Sequence, residues 1–204
     1  MSCRPYLNLS PVVPVLTIER AEHAVPLARA LTAGGLKVLE ITLRTPVALD
    51  AITRIASEVE DAVLAAGTVL TAADLERSAR AGARFAFSPG LADFMLEAGP
   101  IPILPGVATA SEVMKGMTAG LDTFKFFPAV AAGGLGALKG FQGPFSCVAF
   151  CPTGGIGIEN AAEFLALSNV LCVGGSWVAP PRMIAAGDWA GIERLSREAA
   201  ALRN

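Results

Sequence analysis

Apolar residues recur along this chain in short runs that begin near Val12, Val38, Ala62, Phe85, Ile101, Thr123, Cys147 and Val170. Runs of that length bounded by turn residues predict buried strands. Most of the gaps carry a different pattern, rich in alanine and leucine with apolar positions three and four apart, which predicts helices over 22–33, 47–59, 72–81 and 111–119. Glycines follow several of these helices directly before the next strand: Gly34-Gly35, Gly82 and Gly120. Glycine supplies the left-handed stop that a short helix-to-strand loop needs. Strands alternating with helices favour a parallel sheet, and eight such repeats favour closure. The expected fold is therefore α/β, a (β/α)8 TIM barrel forming a single domain over 1–204. That barrel typically takes about 250 residues, so the connections here must be short. No linker or low-complexity tract interrupts the alternation.

Composition narrows the function classes. Net charge is -2, with 17% charged residues and no basic run, which speaks against nucleic acid or an anionic membrane as partner. Hydrophobic content is 53%, yet glycine, proline or charge breaks every apolar stretch before the roughly 18 to 20 residues a bilayer requires. The start, Met1-Ser2-Cys3-Arg4-Pro5, lacks a signal-peptide core. A cytoplasmic enzyme acting on a small molecule is expected. Of the four cysteines, Cys147 and Cys151 lie roughly 13 Å apart if on one strand, too far to bridge. All four are expected as buried thiols in a reducing compartment. The lone histidine, His23, sits in a helical pattern and is expected at the surface. One histidine argues against imidazole catalysis and a multi-histidine metal site, and neither Cys147 nor Cys151 has companions to form one. Metal and cofactor are both expected to be absent.

Candidate chemistry begins at Lys125, in Thr123-Phe124-Lys125-Phe126-Phe127-Pro128. Alternation places Thr123, Lys125 and Phe127 on one strand face and Phe124 and Phe126 on the other. Apolar surroundings strip hydration from an ammonium and favour the neutral amine, the nucleophile of Schiff-base chemistry. An edge-strand lysine reaching for water is the plainer alternative. On the second strand Glu40, Thr42 and Arg44 share a face, so that a carboxylate and a guanidinium turned inward need partners or a ligand. A structural Glu40–Arg44 ion pair is the alternative there. Other strand ends supply turn residues: Gly67-Thr68, Ser88-Pro89-Gly90 and Pro105-Gly106. The last two strands end in Thr153-Gly154-Gly155 and Gly174-Gly175-Ser176. In this fold, glycine loops at those two positions often bind phosphate through backbone amides and a helix N-terminus.

Val38-Leu39-Glu40-Ile41-Thr42-Leu43-Arg44-Thr45, Gly67-Thr68-Val69-Leu70, Phe87-Ser88-Pro89-Gly90, Phe124-Lys125-Phe126-Phe127-Pro128-Ala129 and Phe150-Cys151-Pro152-Thr153-Gly154-Gly155 recur in order along the chain. Together they resemble the 2-keto-3-deoxy-6-phosphogluconate (KDPG) aldolase / 4-hydroxy-2-oxoglutarate aldolase family, over about Val12 to Leu195. The resemblance implies a metal-independent class I aldolase, usually a homotrimer, that splits KDPG into pyruvate and glyceraldehyde 3-phosphate. It assigns Schiff-base formation to Lys125 and proton transfer to Glu40. Arg44 and Thr68 match positions that hold the pyruvyl carboxylate, and Pro89 and Phe127 match pocket walls. Thr153, Gly154, Gly155, Gly174, Gly175 and Ser176 match the polar and phosphate end. Thr17 stands where some relatives carry a basic residue near the phosphate, the segment before Val12 is short, and Gly157 replaces a helix-capping residue. A sister aldolase for the galactonate epimer or for 4-hydroxy-2-oxoglutarate remains open, as do a phosphosugar isomerase or epimerase and a non-catalytic phosphosugar-binding barrel.

Overall fold

The structure, a computed structural model, describes residues 2–203. Parallel strands dominate it. One six-stranded sheet has the order β5-β4-β3-β2-β1-β9, built from β1 (Val12–Leu16), β2 (Val38–Thr42), β3 (Val63–Gly67), β4 (Phe85–Phe87), β5 (Ile103–Leu104) and β9 (Val173–Gly175). A three-stranded sheet holds β6 (Gly106–Val107), β7 (Thr123–Phe126) and β8 (Ala149–Pro152). Single parallel bridges, Phe150 to Val170 and Thr153 to Gly174, join the β8 and β9 segments. The expected fifth strand is split. Pro105 has no N–H to continue a ladder, and β5 and β6 on either side of it pair with β4 and β7 respectively.

Helices α2 (Ala24–Ala33), α3 (Ala48–Glu58), α4 (Ala72–Ala81), α5 (Ala110–Thr118), α6 (Gly134–Gln142), α7 (Ala161–Leu165), α8 (Pro181–Ala186) and α9 (Trp189–Ala200) follow the predicted alternation. Only a short 3-10 turn, Asp93–Leu96, fills the gap between β4 and β5. Capping boxes start α4 at Thr71 and Asp74 and α5 at Thr109 and Glu112, each satisfying otherwise orphaned backbone donors. Gly35, Gly82 and Gly120 adopt positive φ as anticipated.

The sheet separates two cores. Leu39, Ile41, Ala66, Phe124, Phe126 and Phe150 face the helices, meeting Leu27, Ile52, Val113 and Ile192. The opposite face of the strands carries Val13, Val38, Ala65, Phe85, Phe87, Leu104 and Cys151, a smaller cluster. A short N-terminal helix, α1 (Arg4–Leu7), adds Cys3 and Leu7 to that second core. Tyr6 stacks on Phe85 with ring centroids 4.9 Å apart, and Arg4 donates to Asp122 and to the Cys147 carbonyl. The few residues before Val12 thus cover the N-terminal ends of the strands. Cys3, Cys151 and Cys172 are buried, but Cys147 is exposed, contrary to expectation, because β8 begins only at Ala149. Burial pushes the Cys3 thiol up to about 12. Among the described residues no helix is long and apolar enough to cross a membrane.

Candidate active site

Parallel register positions the two key side chains, Glu40 on β2 and Lys125 on β7. Glu40 pairs with Val15 on one side and Ala65 on the other, while Lys125 pairs with Gly106 and Cys151. The Lys125 backbone N–H donates to the Pro105 carbonyl at 2.9 Å. Across the enclosed face, Lys125 Nζ donates to Glu40 Oε1 at 3.2 Å, with both side chains almost wholly buried. The ammonium also lies 5.3 Å from the ring centroids of both Phe87 and Phe127, close enough for favourable cation–π contact. One expectation changes here: Lys125 is not in wholly apolar surroundings, since a carboxylate is its nearest partner. The alternative of a structural Glu40–Arg44 ion pair is not what the structure forms.

Arg44 is exposed rather than turned into the core, because β2 ends at Thr42 and the chain bends outward. Its Nε donates to Thr68 Oγ1 at 3.2 Å. Thr68 has a φ of 60°, a left-handed backbone that a β-branched residue adopts only under strain. Just before it, Gly67 gives Glu40 its seat. A Cβ there would stand 2.3 Å from Glu40 Oε1 and 2.7 Å from its Cγ. Glu40 Oε2 makes no hydrogen bond among the described residues.

Outward of the buried pair lies a cleft of about 340 Å³ lined by Val15, Thr17, Arg44, Phe127, Thr153, Gly154, Gly155, Gly174, Gly175 and Ser176, with Ile156, Ala179, Pro181 and Ile184 completing it. Thr68 and Pro89 lie outside this lining, Pro89 with its carbonyl carbon and oxygen against Gly106. The two glycine pairs differ in cause. Gly154 and Gly155 have φ of 103° and 75°, conformations glycine adopts without steric cost. Gly174 and Gly175 instead make room for side chains: a Cβ would come within 2.2 Å of Thr153 Oγ1 at the first and 1.8 Å of the Trp177 ring at the second. The following helices are short and start late, α7 at Ala161 and α8 at Pro181, which has no N–H to offer an anion. Asn160 N-caps α7 without a side-chain cap bond; its amide instead braces the loop by accepting from Gly157 N–H and donating to the Gly155 carbonyl. His23 is half-buried against the edge of Trp189, ring centroids 5.6 Å apart, rather than free on the surface.

A family model for KDPG and KHG aldolases matches residues 4–195. The chain belongs to the KDPG and KHG aldolase family. It is 53% identical to the KHG/KDPG aldolase of Escherichia coli (strain K12), over 97% of this chain and 94% of the relative. It is 52% identical to the 2-dehydro-3-deoxy-phosphogluconate aldolase of Dickeya dadantii, with 98% and 95% covered. The crystal structure of the KDPG aldolase from Legionella pneumophila, with pyruvate captured at low pH as a covalent carbinolamine, superposes with a TM-score of 0.95 at 46% identity, covering 98% of each chain. The Zymomonas mobilis aldolase with 3-phosphoglycerate gives a TM-score of 0.92 at 50% identity, with 97% and 94% covered.

Motif and alternation pointed to Lys125, Glu40 and the cleft residues. Two contributors to this candidate site were not anticipated. Phe87 supplies the second ring beside Lys125, a role foreshadowed by its alternation with inward Phe85. Gly67 seats Glu40, which no local pattern announces, because the contact joins neighbouring strands.

Proposed function

We propose that this family member is a class I aldolase that cleaves KDPG to pyruvate and glyceraldehyde 3-phosphate, using Lys125 as the imine-forming amine and Glu40 as the proton carrier. The observation that carries the reading is the buried Lys125–Glu40 pair, 3.2 Å apart, beneath an open cleft with a guanidinium and two glycine loops. The ammonium hands a proton to Glu40, and the neutral amine attacks the C2 ketone. Proton return helps water leave the carbinolamine, giving a cationic imine. Glu40 then takes the C4 hydroxyl proton, directly or through a water. The C3–C4 electrons flow into the imine as the aldehyde departs, leaving an enamine. Protonation at C3 and hydrolysis release pyruvate and restore the amine. Arg44 and Thr68 bind the pyruvyl carboxylate, Pro89 and Phe127 wall the pocket, and Thr153, Gly154, Gly155, Gly174, Gly175 and Ser176 hold the hydroxylated and phosphorylated end. The names of the relatives also support cleavage of 4-hydroxy-2-oxoglutarate at the same carboxylate end.

In this reading the chain is one domain, and its two sheets close through the β8–β9 bridges and the Pro105 junction into a (β/α)8 barrel. A homotrimer and a cytoplasmic location follow from the family resemblance. The decisive experiment is borohydride reduction in the presence of pyruvate. One pyruvyl adduct, mapped to Lys125 by peptide mass analysis, is expected. An adduct on Lys37, Lys115 or Lys139 instead, or none, refutes the assignment of the nucleophile.

A further inference from the structure

A relay of two hydroxyls enters the cleft from the end of β1. Thr42 is fully buried and gives its hydroxyl hydrogen to the Leu16 carbonyl at 2.8 Å. Its Oγ1 also lies 3.2 Å from Thr17 Oγ1. A hydroxyl has one hydrogen to give and two lone pairs. Because Thr42 has already spent its hydrogen, Thr17 must be the donor between them. What half-buried Thr17 then presents to the cleft is acceptor lone pairs alone. An acceptor oxygen suits a neutral hydroxyl and disfavours an anion at the same spot.

Strand register gives the height of this acceptor. Val15 pairs with Glu40, and Thr17 lies two residues further toward the mouth, about 6.6 Å along the strand axis. With C2 bound at Lys125 and the C4 hydroxyl served by Glu40, a group one step outward meets the substrate beyond the bond that breaks. We propose that Thr17 is a specificity-determining residue that accepts a hydrogen bond from the C5 hydroxyl of the substrate, next to the phosphate-bearing carbon. The phosphate is thereby left to the glycine loops and Ser176. This inference rests on the aldolase reading above.

The test runs in the condensation direction, where the C5 hydroxyl enters as the 2-hydroxyl of the aldehyde. Specificity constants are compared for glyceraldehyde 3-phosphate and for 3-phosphopropanal, which lacks that hydroxyl, each with pyruvate. Wild type should favour the hydroxylated aldehyde, and Thr17→Val should shrink the ratio by about 2- to 10-fold, the worth of one neutral hydrogen bond. Thr17→Ser, which keeps the acceptor, should restore the ratio. An unchanged ratio in Thr17→Val, or equal losses on both aldehydes, overturns the proposal. Failure of wild type to condense either aldehyde, together with no borohydride adduct at Lys125, would refute the aldolase reading itself. Condensation with an unaltered ratio refutes only the role of Thr17.

Discussion

The inner and outer halves of the cleft are built by different means. At the inner end, Lys125 and Glu40 are fixed by strand register, walled by Phe87 and Phe127, and almost wholly removed from water. At the outer end, Arg44 and Ser176 are exposed, and most of the wall is loop backbone and apolar side chain. The contrast suits the chemistry. Bond making at an imine needs a carboxylate held in one place, and a strand holds a side chain more rigidly than a loop. An anion that must enter and leave is better met by backbone amides near solvent.

Substitutions at the inner end should have the largest effects. Glu40→Gln keeps the shape but removes the base, so turnover should fall by roughly 10²-fold or more while pyruvate still binds. Gly67→Ala removes no functional group, yet its Cβ would collide with Glu40. A comparable loss of turnover in a folded Gly67→Ala protein is therefore expected. Near-normal kcat in that variant would show that the position of the carboxylate matters less than its presence.

Next in expected effect is Arg44, at the outer end. Arg44→Ala should weaken pyruvate binding by about 10-fold, the lower range for a charged hydrogen bond given the exposure of the guanidinium. Calorimetric titration of pyruvate reads this directly, and equal affinities in wild type and variant would remove Arg44 from the carboxylate site. Smaller still is the expectation for Ser176→Ala: about a 3-fold loss of kcat/KM for KDPG, with none for unphosphorylated 4-hydroxy-2-keto acids. Equal losses on both substrates would sever Ser176 from the phosphate. Gly155→Val is a poorer probe, because the new side chain would meet Val130 at 2.9 Å in a backbone with φ of 75°. The least consequential change concerns thiols. Native protein should react with one equivalent of a thiol reagent, at Cys147, without loss of activity; labelling of buried Cys151 or Cys172 would show that the enclosed face opens.

Legibility from sequence followed the same division. Alternation within a strand assigned Lys125 and Glu40 to the enclosed face, because burial on one side leaves a period-two trace in a single chain. Helices 47–59 and 72–81 were likewise visible in spacing and ended within a residue or so of prediction. What escaped depended on contacts between strands. Glu40 pairs with Lys125, 85 residues away, whereas local pattern said only that Glu40 needs a partner or ligand, with Arg44 as the plainer alternative. The break at Pro105 escaped as well, since its neighbours remain apolar on both sides of the interruption. At the outer end both glycine pairs were read alike, as phosphate loops, yet Gly154 and Gly155 answer to left-handed backbone whereas Gly174-Gly175 owes its identity to Thr153 and Trp177.

Under the role proposed for Thr68, activity is set against durability. Its backbone occupies a region where asparagine is at ease and threonine is not. Thr68→Asn should relieve strain worth about 1 kcal/mol while displacing the hydroxyl that receives Arg44. Selection for heat tolerance alone would be drawn to this position, and the variants it recovered there would be sturdier proteins and slower enzymes.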